Sequence, residues 1–206
     1  FADSSIIPTY WISKEIAKNV VVALGGDGSD EIFCGYNKYN NKDQDIPSRF
    51  FRNLDNTFLT DEYQNDTYKY MLAHLPYQTS DNDELLRLLD IRFFLEGDIL
   101  QKVDRMSMAN SLEVRVPFLD HRIVEYSNTL TKNLMFGKIR KEPVKKLLEK
   151  YFSKDFVHRS KIGFMLNFDG WVDAYNDYIM NSRALNSGFF KKDFNIRNIL
   201  NGYLKF

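Results

Sequence analysis

Hydrophobic and polar positions change their rhythm twice along this chain. Near the start, Pro8 followed by "TYWISKEIAK" fits a helix with proline in its first turn. Tyr10, Trp11, Ile12 and Ile16 fall mostly on one stripe, with Lys14, Glu15 and Lys18 opposite. "NVVVAL" is then a short β-branched run without alternation, the pattern of a strand buried on both faces. A helix followed by a continuous apolar strand is the rhythm of an α/β unit with a parallel sheet.

After Tyr36 the rhythm becomes helical. "NKYNNKDQD" reads as a polar connection, and from about Phe50 onward no strand is predicted. "DNDELLRLLDIRFFLEGDIL" reads as a helix capped by Asp81 or Asp83 and broken at Gly97. "DILQKVDRMSMANSLEV" reads as a second helix, burying Ile99, Leu100, Val103, Met106 and Met108. "VPFLDHRIVEYSNTL" gives a turn at Pro117 and another helix. "RKEPVKKLLEKYF" is amphipathic, with Leu147, Leu148, Tyr151 and Phe152 on its apolar side. "HRSKIGF" is a basic loop, and the tail from "DGWVDAYNDYIM" is helical again. The expected fold is α/β: the end of a parallel sheet within residues 1–45, then a mainly helical region over 46–206. So few strands in 206 residues suggest that part of the sheet lies elsewhere. The opening "FADSSIIPTYW" reads like the middle of a domain, so the chain is expected to be a piece of a longer protein.

Charge and composition narrow the class. Twenty-eight basic residues balance twenty-eight acidic ones, which removes the electrostatic reason to expect nucleic acid. No apolar run approaches the roughly 20 residues of a membrane helix, and no signal peptide is evident. The single cysteine, Cys34, excludes a disulfide within the chain and suits a reducing compartment.

Three stretches carry candidate chemistry. In "GGDGSDE", Gly25, Gly26 and Gly28 allow a tight turn and close approach to a ligand. The turn follows a strand end, where open α/β sheets place ligands. Ser29 is a candidate N-cap for "SDEIFCGY". Asp27, Asp30 and Glu31 could complement a helix dipole or hold Mg²⁺ against a polyphosphate. An EF-hand register begun at Asp27 fails, with Ile32 at its sixth position and Lys38 at its twelfth. The phosphate-loop pattern GxxxxGK[ST] is absent. In "DILQKVDRMSMANSLEVRVPFLDHR", charge is dense, with Asp98 and Lys102 at ion-pair spacing. Arg115 and Asp120 flank "VPFL", which should draw them inward toward partners. A structural salt-bridge network remains an alternative for most of these residues, and His121 alone carries no catalytic signal. In "HRSKIGF", Lys161 beside Gly163 could stabilise charge in a phosphoryl or adenylyl transfer, or could be an ordinary surface lysine.

Together these stretches resemble the glutamine-dependent asparagine synthetases. "VALGGDGSDEIFCGY" resembles the family's SGDG(G/S)DE(I/L)F(G/A)GY segment, the long charged stretch is similar to its signature, and "HRSKIGF" is similar to its R-x-K-x-G-F loop. The resemblance covers nearly the whole chain in order. It implies an adenine-nucleotide α-hydrolase-like, ATP-pyrophosphatase fold. It also implies a ligase that converts aspartate through β-aspartyl-AMP, using ATP, Mg²⁺ and ammonia from glutamine. An N-terminal glutaminase domain would supply the ammonia in a cytoplasmic enzyme, and a homodimer is a further expectation.

By this resemblance Asp30 falls on the acid that holds Mg²⁺ and pyrophosphate. Asp27 falls on the position handling the protons of incoming ammonia, and Gly25, Gly26 and Gly28 on the nucleotide and aspartate pocket. Lys161 falls on the lysine that neutralises pyrophosphate, and Arg105 lies near the pocket's basic position. Asp27, Asp30 and Lys161 are thus expected to converge on one cleft. Departures are glycine at 25 where serine is common, aspartate at 27 where some relatives have glutamate, and Cys34 for a small residue. The SGGxDS pyrophosphate loop and the glutaminase cysteine do not occur, so this chain alone is expected to be inactive. Two alternatives stay open: an amidotransferase for another carboxylic acid (a polysaccharide sugar acid, a β-lactam precursor or a peptide), or a non-catalytic scaffold copy.

Overall fold

The computed structural model describes residues 3, 5–51 and 61–160. Helix α1 (Ile6–Ile16) leads into strand β1 (Val22–Leu24). A sharp turn enters the short helix α2 (Ser29–Ile32), followed by a 3-10 turn (Asn37–Asn40), α3 (Ile46–Phe50) and α4 (Asp61–Ala73). Helix α5 (Asn82–Leu89) runs without a break into a π-helical stretch (Asp90–Ile99) and then α6 (Leu100–Met108). Strand β2 (Glu113–Arg115), a 3-10 turn (Pro117–Leu119), α7 (His121–Thr129), α8 (Lys132–Phe136), α9 (Glu142–Leu148) and α10 (Lys154–His158) complete the described chain.

The α/β class holds. β1 and β2 pair in parallel, with Val22 opposite Glu113, Ala23 opposite Val114 and Leu24 opposite Arg115. The ladder continues through Glu113 N to Val21 O (2.9 Å) and Gly25 N to Arg115 O (2.8 Å). Helices dominate the rest, as their apolar spacing implies. Asp81 is the cap of α5, accepting from the backbone N–H groups of Asp83 and Glu84 at 3.0 Å each. Asp120 caps α7 through Arg122 N at 2.9 Å.

Several expectations are corrected. A strand does follow Phe50, namely β2. Its three residues contain one apolar side chain, too little pattern to read locally. β1 is not buried on both faces: Val22 is 37% exposed and Leu24 74%. Gly97 does not end a helix, because the π-helical stretch carries the chain through it to α6. Helix α6 stops at Met108, which is exposed, and Leu112 beyond it is buried. Arg115 is not drawn inward; its side chain lies in solvent beside Glu113. Leu147, Leu148, Tyr151 and Phe152 are exposed, as are Trp11 and Ile12 on the predicted stripe of α1.

The core gathers around α5. Leu86 and Leu89 are fully buried with Ile32, Cys34 and Tyr39. Burying such side chains contributes about 1.5–3 kcal/mol each. Polar ties run through this core. Arg87 donates from Nε to Ile32 O (3.1 Å) and from Nη2 to Ser127 Oγ (2.7 Å), joining α5, α2 and α7. Asp90 is completely buried and accepts from Lys38 Nζ and from Tyr39 OH (2.7 Å). These ties hold α2, and the acidic turn before it, against the helical layer.

Candidate functional site

The turn between β1 and α2 leaves the carboxyl end of a parallel strand. Gly28, not Ser29, is the residue before α2, and Ser29 is its first helical residue. Gly28 has φ 83°, a left-handed conformation that glycine accepts without steric cost. Leu119 from the 3-10 turn packs into the space where a side chain on Gly28 would stand. The PFL segment thereby presses the acidic turn against β2.

Asp27 folds back over the strand end. A Cβ on Gly25 would lie 2.8 Å from Asp27 Oδ2 and 3.0 Å from Val114 Cγ1. Burial among such apolar groups pushes the Asp27 carboxyl above its ordinary range, offset in part by its own backbone and by the charge of Lys102. That is the shift expected of a proton acceptor working nearer neutrality. Gly26 is exposed, with open space where its Cβ would be.

Asp30 faces a different cation. Its Oδ1 lies 3.2 Å from Lys141 Nζ, and the same ammonium donates to Ser29 Oγ at 3.3 Å. Lys141 precedes α9 in a left-handed conformation (φ 52°), which aims its mostly buried side chain toward α2. Glu31 is turned inward and accepts from Tyr36 OH; burial raises its carboxyl as well.

On α6, Lys102 pairs with Asp3 rather than with Asp98. Asp98 Oδ1 is buried with no hydrogen-bond partner among the described residues. Burial first, then the charge of Asp3, raises the Asp98 carboxyl. Asp104 and Arg105 are exposed on the same helix. Lys161, which sequence reasoning places with Asp27 and Asp30, lies outside the described residues.

The structure therefore brings Gly25, Gly26, Asp27 and Gly28 into the turn after β1, sets Asp30 at the start of α2 directly behind it, and pairs Asp30 with Lys141. Sequence reasoning did not assign a role to Lys141 or Lys102. Lys102 stood within the charged stretch already singled out. Lys141 carried no local signal beyond a basic run before Pro143, because its contact with Asp30 spans more than a hundred residues. Among the described residues no group of three acidic, histidine or cysteine side chains could hold a metal by itself. No helix among them is long and apolar enough to cross a membrane.

A family model described as asparagine synthase matches residues 1–201. Asparagine synthetase [glutamine-hydrolyzing] 1 of Bacillus subtilis is 28% identical, aligning 94% of this chain with 38% of its own length. Asparagine synthetase [glutamine-hydrolyzing] 3 of the same organism is 35% identical, over 77% of this chain and 28% of its own length. The mouse asparagine synthetase [glutamine-hydrolyzing] is 27% identical, over 94% and 30%. The chain thus spans well under half the length of these relatives. The match over nearly all of its residues shows that this chain belongs to the asparagine synthase family of enzymes.

Proposed function

We propose that this chain is part of an ATP-dependent, AMP-forming amide ligase that makes asparagine from aspartate. The observation carrying this reading is the glycine-rich acidic turn at the carboxyl end of β1, where Asp27 is desolvated and Asp30 stands beside Lys141. The aspartate side-chain carboxylate attacks the α-phosphorus of ATP, forming β-aspartyl-AMP as pyrophosphate leaves. Ammonia then attacks the acyl carbon and AMP departs. The full sheet would be of the ATP-pyrophosphatase type, with residues 1–45 at its end and 46–206 as the helical region.

Each residue has a distinct task. Asp27 accepts a proton from the attacking ammonia, a step worth roughly 10²–10⁴-fold when the acceptor is within reach. Gly25, Gly26 and Gly28 keep the turn close to the nucleotide and the acid. Asp30 holds Mg²⁺. Mg²⁺ commonly takes one or two carboxylates and fills its remaining positions with phosphate oxygens and water. Asp30, partly exposed beside the Ser29 hydroxyl and the Lys141 ammonium, fits that use, and an all-protein metal cage is not required. Bound there, the ion would neutralise pyrophosphate charge. Lys141, Lys161 and Arg105 add positive charge around the same phosphates.

Ammonia would come from glutamine through a glutaminase domain in the longer protein, and a homodimeric, cytoplasmic enzyme fits this scheme. The test uses the full-length protein with ATP, Mg²⁺, glutamine and a panel of carboxylic acids. Aspartate-dependent release of AMP and pyrophosphate with asparagine as product is expected. Turnover with a different acid would move the assignment to another amide. No AMP from ATP, aspartate and glutamine would remove it.

A further inference from the structure

The three glycines of the turn after β1 lack side chains to different ends. Gly28 needs its freedom for a left-handed backbone. Gly26 has open space where a Cβ would stand. Gly25 is not in the left-handed region, so no positive φ demands glycine there. Its N–H donates to Arg115 O at 2.8 Å as the last rung of the parallel ladder, which holds its Cα in register with β2.

What glycine provides at position 25 is room, and the Asp27 carboxylate fills it. A Cβ there would lie 2.8 Å from Asp27 Oδ2, 3.0 Å from Val114 Cγ1 and 3.6 Å from Val116 Cγ1. The two valines make an apolar wall, and the carboxylate lies in the recess that a side chain at 25 would otherwise occupy. These neighbours do not yield equally. Val114 is held in β2 opposite Ala23, whereas the carboxylate is the free end of a rotatable side chain. A methyl group at 25 would therefore turn the carboxylate out before it moved the sheet. Desolvation, the main cause that holds the Asp27 carboxyl above its ordinary range, agrees with this placement.

We propose that Gly25 is the positioning residue for the proton acceptor: its missing side chain is the recess that receives the Asp27 carboxylate and fixes where it meets the incoming amine. The inference rests on the reading of Asp27 as that acceptor. It gives Gly25 a role that runs through Asp27, separate from any contact with nucleotide.

The experiment uses the full-length protein and compares wild type with Gly25→Ala, Asp27→Asn, the two together, and Val114→Ala. Amide formation from added ammonia is followed across pH, each rate being referred to the unprotonated ammonia present. Gly25→Ala should lower the rate by roughly 10–100-fold, the scale on which a misplacement of about 1 Å acts. It should also move the acid limb of the profile to lower pH, because a carboxylate turned out into water ionises more easily. In the double variant the two losses should fall well short of their product, because no proton acceptor remains at 27 to displace. Losses that multiply, or a lower rate with an unmoved acid limb, would overturn the positioning role. If Gly25→Ala fails to fold, Val114→Ala decides: it opens the same recess from β2 and should move the limb in the same direction, and an unmoved limb would overturn the proposal. A full wild-type rate in Asp27→Asn alone would instead remove the reading of Asp27 as proton acceptor, and this inference with it.

Discussion

Burial sets the behaviour of two side chains in opposite ways for function. Asp27 is raised above its ordinary range by desolvation, so its charged form is disfavoured in the fold. Its stabilising contribution is present at pH below the ordinary aspartate value and is lost as pH rises through the folded value. Asp27→Asn should therefore leave stability at neutral pH equal or higher in thermal unfolding. The same variant should lose roughly 10²–10⁴-fold in ammonia-dependent amide formation. A stability loss with activity retained would contradict the assignment. Cys34 is fully buried and its thiol is pushed up to about 12 by desolvation. The thiolate is the reactive form. Native protein at pH 8 should resist iodoacetamide, and urea-unfolded protein should react fully, as mass spectrometry of the 206-residue chain would show. Rapid native labelling would mean that the core around α5 opens readily.

At the scale of elements, what the sequence reveals tracks how local the cause is. Asp81 was readable as a cap because its acceptor and both donors lie within four residues. It also pairs with Lys132 and so joins α5 to α8. Asp81→Ala should cost about 1 kcal/mol, the usual worth of such a cap, seen as a lower urea midpoint with an unchanged slope. The pair with Lys132 is mostly exposed at the lysine and adds little to that figure. The acidic turn was likewise visible, since Gly28 and the acids lie within a few positions. β2 was not, because its strand character comes from pairing with β1 some ninety residues earlier. Gly97 misled for a related reason. Glycine lowers helix propensity by about 1 kcal/mol, but packing of Leu95 and the flanking helices outweighs that local preference. The lysine beside Asp30 was hidden for the same reason as β2: Lys141 reaches that carboxylate through a tertiary contact.

The molecule as a whole leaves apolar surface uncovered. Val22 and Leu24 share one face of the sheet with Glu113 and Arg115, and all four are exposed. Val20 and Val21 just before the strand are exposed as well, and Leu147, Tyr151, Phe152 and Phe156 add a second exposed group on α9 and beyond. Parallel sheets are ordinarily covered on both faces, and contiguous apolar patches drive association. The 206-residue chain by itself should therefore elute above its 24.3 kDa mass in gel filtration, increasingly so at higher concentration. Leu24 offers the sharper test, since its side chain is outside and its backbone pairing with Arg115 does not depend on side-chain identity. Leu24→Glu with Val21→Lys should shift elution toward the monomer and leave the helical circular dichroism unchanged. A monodisperse 24.3 kDa species from the unaltered chain would contradict the argument, because it would mean that this surface is already covered.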